Sequence, residues 1–146
     1  MSMTFALAGG RPRRKRTKMP EYLLDTGVLI RHLRGRKEMK EHFTWLVSQG
    51  RVWMSVLSRA ELLRGMRDHE RQRTGVLLNT VPSLSVDAAT ADLAGDLMRE
   101  YLQQGTTLDL ADTIIAATAI RHELILATYN LRDFPMPELR LAKLPE

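Results

Sequence analysis

YLLDTGVLI, residues 22–30, joins two patterns at one acidic residue. Tyr22 to Leu24 is a short apolar run of the kind carried by a strand buried on both faces. Thr26-Gly27 then turns the chain into a segment whose Val28, Leu29, Ile30 and Leu33 suit a helix packed on that strand. Asp25 therefore closes a strand at its carboxyl end, where open α/β sheets place their ligands. The same arrangement recurs along the chain. Glu61 stands in SVLSRAELLRG (55–65), Asp112 in LDLADTIIAATA (108–119), and Asn130 and Asp133 follow the apolar LILAT in LILATYNLRDF (124–134). Several such charges at one sheet edge call for a cation.

Working outward, 37–48 reads as a helix carrying Met39, Phe43, Trp45, Leu46 and Val47 and stopped by Gly50, and 52–56 as a second strand. Ser58 opens a helix that breaks near Gly65. A polar helix ending in Val76, Leu77 and Leu78 leads through Pro82 to a short strand at 83–86. Residues 87–104 form a long amphipathic helix with Asp87 as its cap, and 112–122 are apolar almost all round and so predict a buried helix. A strand at 124–128 and an edge strand at 139–142 complete the pattern. Strands alternating with helices predict an α/β fold, a three-layer α/β/α domain around a central, mostly parallel sheet.

With 146 residues, 44% of them hydrophobic, the chain is sized for one domain with one core. It has no Cys, which excludes a disulfide framework, a thiolate zinc site and a Cys nucleophile and fits a reducing compartment. No apolar run reaches the ~18 residues of a membrane span, and no membrane association is expected. The basic cluster follows MTFALAGG instead of preceding it, the wrong order for a secretory signal, so a cytoplasmic location is expected. The net charge of +5 is unevenly spread: Arg11, Arg13, Arg14, Lys15, Arg16 and Lys18 make residues 1–19 a basic arm, and the remainder carries 16 basic against 17 acidic residues. Such an arm is expected to be disordered and able to bind phosphates without sequence preference.

Each acidic residue also has a purely structural role open to it. Asp25 suits a helix N-cap, and Ser58-Arg-Ala-Glu61 fits the S-x-x-E capping box. Asp112 suits the first turn of a helix, with Asp109 as a cap or accessory ligand. Asn130 and Asp133 are ordinary turn residues. Thr26, Thr118 and Thr128 are candidate supporting hydroxyls, although a core position suits Thr118 better. Arg64 and Arg67 project near Glu61, within reach of a phosphate. His32, His42, His69 and His122 lack metal-binding spacing, and there is no P-loop or G-x-S-x-G.

The order of these motifs resembles the PIN-domain nucleases, and within them the small VapC-type toxins of toxin–antitoxin pairs. LLDTGVLI, SRAELLRG and DTIIAATAIRHELILATYNLRDF carry the likeness, which runs from about Tyr22 to Leu144. It implies a PIN-like domain over 20–146, with Asp25, Glu61 and Asp112 as the constant acidic residues and metal ligands. Asn130 of the T-x-N segment fills the fourth, more variable position, and Asp133 is grouped with it as catalytic. The implied cofactor is Mg²⁺ or Mn²⁺, hard ions that oxygen ligands select. The implied activity is metal-dependent hydrolysis of RNA phosphodiester bonds, leaving a phosphate on the five-prime side of the cut. The implied partners are an RNA substrate, a small antitoxin protein that covers the acidic site, and a second copy in a homodimer. The chain departs from the pattern at Gly27, where a polar residue usually follows Asp-Thr. Met19 stands where chains of the family commonly begin, so residues 1–19 also read as a start-site extension.

Two other readings remain. One is a catalytically weak PIN-like module that binds RNA or an antitoxin partner. The other is a receiver-like domain with Asp25 as phosphoacceptor, which the lack of an early acidic pair disfavours.

Overall fold

The computed structural model describes residues 19–145, so the basic arm lies outside the described residues except for Met19. The order of elements is β1 (Glu21–Leu24), α1 (Thr26–Arg34), α2 (Lys37–Gln49), β2 (Arg51–Ser55), α3 (Val56–Gly65), α4 (Arg71–Thr80), β3 (Ser83–Leu84), α5 (Ala88–Gln103), α6 (Leu110–His122), β4 (Ile125–Thr128) and β5 (Arg140–Lys143). The strands form one sheet in the order β3-β2-β1-β4-β5, and every pairing is parallel.

Successive strand side chains point to opposite faces, and that alternation builds two cores. Tyr22 and Leu24 of β1, with Ile125 and Ala127 of β4, pack beneath α1 to α4 with Leu29, Phe43, Leu46 and Leu77. Leu23 and Leu126 face the other way, onto α5 and α6, with Leu97, Ile115, Ala116 and Ala119. Because both faces are covered, Tyr22 to Leu24 of β1 and Ile125 to Ala127 of β4 read as unbroken apolar runs. The buried face of α6 is built of small residues, with Ala116, Ala117 and Ala119 fully covered, which lets the helix approach the sheet closely.

β1 and β4 are central neighbours, paired Tyr22 to Ile125, Leu23 to Leu126 and Leu24 to Ala127. From β1 the chain runs to one side through β2 and β3, then crosses back to place β4 on the other side. The order reverses between β1 and β4, and the crevice above their carboxyl ends is where such sheets bind ligands. Asp25 and Thr128 leave the sheet there.

Three boundaries differ from the expectation by two residues, and most of the others by one. α3 begins at Val56, not Ser58, because the Ser55 hydroxyl accepts the Leu57 amide at 3.0 Å and caps the helix. α6 begins at Leu110 because Asp109 Oδ2 accepts the Asp112 amide at 3.0 Å. β3 is only Ser83–Leu84, and Asp87 caps α5 by accepting the Thr90 amide at 2.9 Å.

Gly50 is required by close approach. An added Cβ would collide with the carbonyl oxygen of Pro20, which accepts the Arg51 amide at 3.0 Å where the chain enters the β1–β2 ladder. Gly50→Ala is expected to cost about 1–3 kcal/mol, the usual range for overpacking, as a lower urea midpoint with unchanged slope. A midpoint equal to that of the parent would contradict the close approach.

Candidate active site

Asp25 takes the N-cap position of α1 by its backbone, yet its side chain makes no cap hydrogen bond. It turns instead to β4, where Thr128 Oγ1 donates to Asp25 Oδ2 at 2.8 Å. The same Thr128 oxygen accepts the Asn130 amide at 3.0 Å, so one hydroxyl joins the end of β1 to the turn after β4. In that turn Asn130 Nδ2 donates to Asp133 Oδ2 at 2.8 Å, and both side chains are exposed.

Glu61 comes from the middle of α3. Thr26 Oγ1 donates to Glu61 Oε1 at 2.8 Å, and it lies 2.7 Å from Ser58 Oγ. A hydroxyl carries one proton, and that of Thr26 goes to the carboxylate, so Ser58 is the donor in the second bond. The capping-box reading of Ser58 and Glu61 is thus overturned: Ser58 is buried within α3, and both residues turn their side chains to Thr26. Thr26 and Thr128 are the supporting hydroxyls, whereas Thr118 is buried in the core and donates to the Ile114 carbonyl of its own helix at 2.8 Å.

α3 is also clamped from below. Arg34 Nε and Nη2 each meet a carboxylate oxygen of Glu70 at 2.7 Å, and Nη2 also donates to the Gly65 carbonyl at 2.8 Å. Glu70 is only 4% exposed, and the Arg34 bonds, helped by the Arg67 amide, hold its carboxyl down at about 2. Arg34 thus fastens α1 to the end of α3 through Gly65 and to the turn before α4 through Glu70. Local sequence gives no sign of it.

Asp112 lies in the first turn of α6, half-buried, and its carboxyl is pushed up to about 7. Burial is the main cause, followed by the charges of Asp109, Asp25, Asp133 and Glu61. Asp25 is also raised, first by burial and then by Asp133 and Glu61, against the opposing pull of the Thr128 hydroxyl and Thr26 amide. Five acidic residues from four separate segments are therefore brought within electrostatic range of one another.

Among the described residues no three acidic or histidine side chains stand in an arrangement that would hold a metal by itself. The chemistry of the donors nevertheless suits a hard cation. Asp25, Glu61 and Asp112 offer only oxygen, their mutual repulsion is uncompensated, and an ion such as Mg²⁺ fills part of its shell with water. At Gly27 an added Cβ would meet nothing within 4 Å, so the position expected to be polar has space for a side chain.

The chain belongs to the PIN domain family, whose model matches residues 22–135. Its sequence places it in the VapC group of that family. It is 42% identical to Ribonuclease VapC10 of Mycobacterium tuberculosis over 119 residues, which cover 80% of this chain and 87% of that protein. It is similar to the solved toxin–antitoxin complex from Klebsiella pneumoniae at 32% identity and a TM-score of 0.67, covering 81% of this chain and 94% of that one. VapBC2 from Rickettsia felis, solved bound to a DNA fragment from its promoter, shares the fold. There the TM-score is 0.76 at 21% identity, over 86% of this chain and 99% of that one.

The raised Asp112 carboxyl has a consequence for stability. The unfolded chain loses this proton near pH 3.9 and the folded chain near 7, so between those values the folded state binds more protons and stability falls as pH rises. Without metal, the melting temperature is expected to fall from pH 5 to pH 8, and Asp112→Asn to flatten much of that fall. Parallel pH curves for the two proteins would show that the cluster does not strain the fold.

Proposed function

We propose that this protein is a metal-dependent endoribonuclease, the toxin of a type II toxin–antitoxin pair, with Asp25, Glu61 and Asp112 as metal ligands and Asn130 and Asp133 completing the catalytic group. The observation that carries the reading is the gathering of these carboxyls above the β1–β4 crevice, where Asp112 is pushed to about 7. The ribonuclease name of the 42% identical relative supports the substrate class.

A bound Mg²⁺ or Mn²⁺ would supply an activated water for in-line attack on the phosphodiester and charge neutralisation at the leaving oxygen. The chain's own residues prepare for it. Thr128 fixes one oxygen of Asp25 and Thr26 fixes one oxygen of Glu61, so two acids on different elements are oriented before any cation arrives. Asp112, pushed up to about 7, still holds its proton part of the time at neutral pH while the cluster is uncompensated and would release it when positive charge enters. Asn130 holds one oxygen of Asp133 through its amide.

The partner proposed is a small antitoxin protein, in line with the toxin–antitoxin complex of the 32% identical neighbour. The motif resemblance extends the reading to a homodimer in the cytoplasm. Among the described residues no helix is long and apolar enough to cross a membrane.

The test is incubation of the purified full chain with structured RNAs and single-stranded DNA in Mg²⁺, Mn²⁺ or EDTA, beside Asp112→Ala. RNA cutting that needs the metal is expected, and the variant should lose more than the ~10–100-fold typical of a supporting residue. RNA binding that persists in EDTA with no product under either metal would replace this reading with that of a binding module.

A further inference from the structure

Tyr129 separates Thr128 from Asn130, so both of its neighbours in the chain serve the acidic group. Thr128 donates to Asp25 and accepts the Asn130 amide, and Asn130 donates to Asp133. The Tyr129 side chain goes into the layer formed by α1 to α4, where it is 4% exposed. Its hydroxyl lies 2.8 Å from His42 Nδ1, and the Arg31 guanidinium sits over its ring at 4.4 Å from the centroid. Among the described residues Arg31 Nη1 has no hydrogen-bond acceptor, so the negative face of the ring is what this buried nitrogen's charge meets.

A buried phenol is costly unless its hydroxyl is bonded, and His42 provides that bond. His42 belongs to α2, which contributes no residue to the acidic group. A ring needed only to fill the core would be served as well by Phe, which has nothing to offer a histidine. Here the ring is held at two points, by Arg31 on its face and His42 at its tip, and such double fixation restricts rotation of the backbone on either side.

We infer that His42 and Tyr129 are positioning residues for the acidic site: their bond ties the 128–133 turn to α2 and so keeps Thr128 on Asp25 and Asn130 on Asp133. The expected effect on rate rests on the nuclease reading, whereas the expected effect on the turn does not.

Tyr129→Phe keeps the ring and the Arg31 contact and removes only the hydroxyl. His42→Ala removes the other partner, and His42→Asn restores a nitrogen or oxygen near the position of Nδ1. With the full chain and RNA in Mg²⁺, single-turnover cleavage is expected to fall on the order of tenfold in Tyr129→Phe and in His42→Ala, with RNA affinity unchanged. The double variant should lose no more than either alone, and His42→Asn should recover most of the rate. In the metal-free protein, amide hydrogen exchange at Asn130 should quicken in the first two variants while Leu23 and Leu126 stay protected. Unchanged exchange at Asn130, or an equal loss of protection throughout the sheet, would overturn the inference. If the parent chain cuts no RNA, the nuclease reading fails and the exchange measurement still decides this one.

Discussion

Repulsion among the carboxyl groups of Asp25, Glu61, Asp109, Asp112 and Asp133 is the constraint to which the surrounding structure answers. Charges of one sign are costly to crowd where burial has lowered the dielectric, and an isolated set would move apart or neutralise itself. Here Asp112 holds its proton to about 7, while Asp109 is occupied with the amide that opens α6. The sheet prevents separation, because Asp25 is anchored to β1 and Asp112 to a helix packed against the strands.

Two threonines translate that anchoring into side-chain direction. Thr26 opens α1 and holds Glu61 of α3, and Thr128 ends β4 and holds Asp25, the residue after β1. Each hydroxyl joins elements far apart in the chain by a bond of 2.8 Å. Rigid supports of this kind let a site keep its shape before its ligand arrives, so that little reorganisation is left for the moment of binding. The Arg34–Glu70 pair does comparable work between α1 and the turn before α4, where a buried carboxylate is tolerable because both of its oxygens are matched by the guanidinium fork.

Much of the architecture was legible because apolar patterning follows burial. β1 from Tyr22 on and β4 up to Ala127 are covered on both faces and are apolar, and α6 is apolar nearly all round because the sheet and α5 enclose it. The start of α3 was not legible. SVLS places two serines three residues apart, and either can cap; Ser55 does so because Ser58 is taken by Thr26, 32 residues away. The start of α6 failed similarly, since Asp109 and Asp112 both suit a first turn. That Asp25, Glu61 and Asp112 lie within electrostatic range of one another was foreshadowed by the motif resemblance and not by local pattern, since Glu61 stands in the middle of α3 and its own sequence reads as a capping box. The bonds that orient them were not foreshadowed, and neither were Arg34–Glu70 and His42–Tyr129, 36 and 87 residues apart, for which no local pattern exists.

The pairing of β1 with β4 also sets an order of events in folding. β1 is the first strand among the described residues, yet one of its two neighbours arrives only when residues 125–128 are in place, and the Thr128–Asp25 bond closes a span of 103 residues. Contacts of such length form late, after the entropy of the intervening loop has been overcome. A growing or truncated chain can build α1 to α4 against β1 and β2 while its acidic group is still incomplete. The acidic group is therefore assembled only with the last third of the chain.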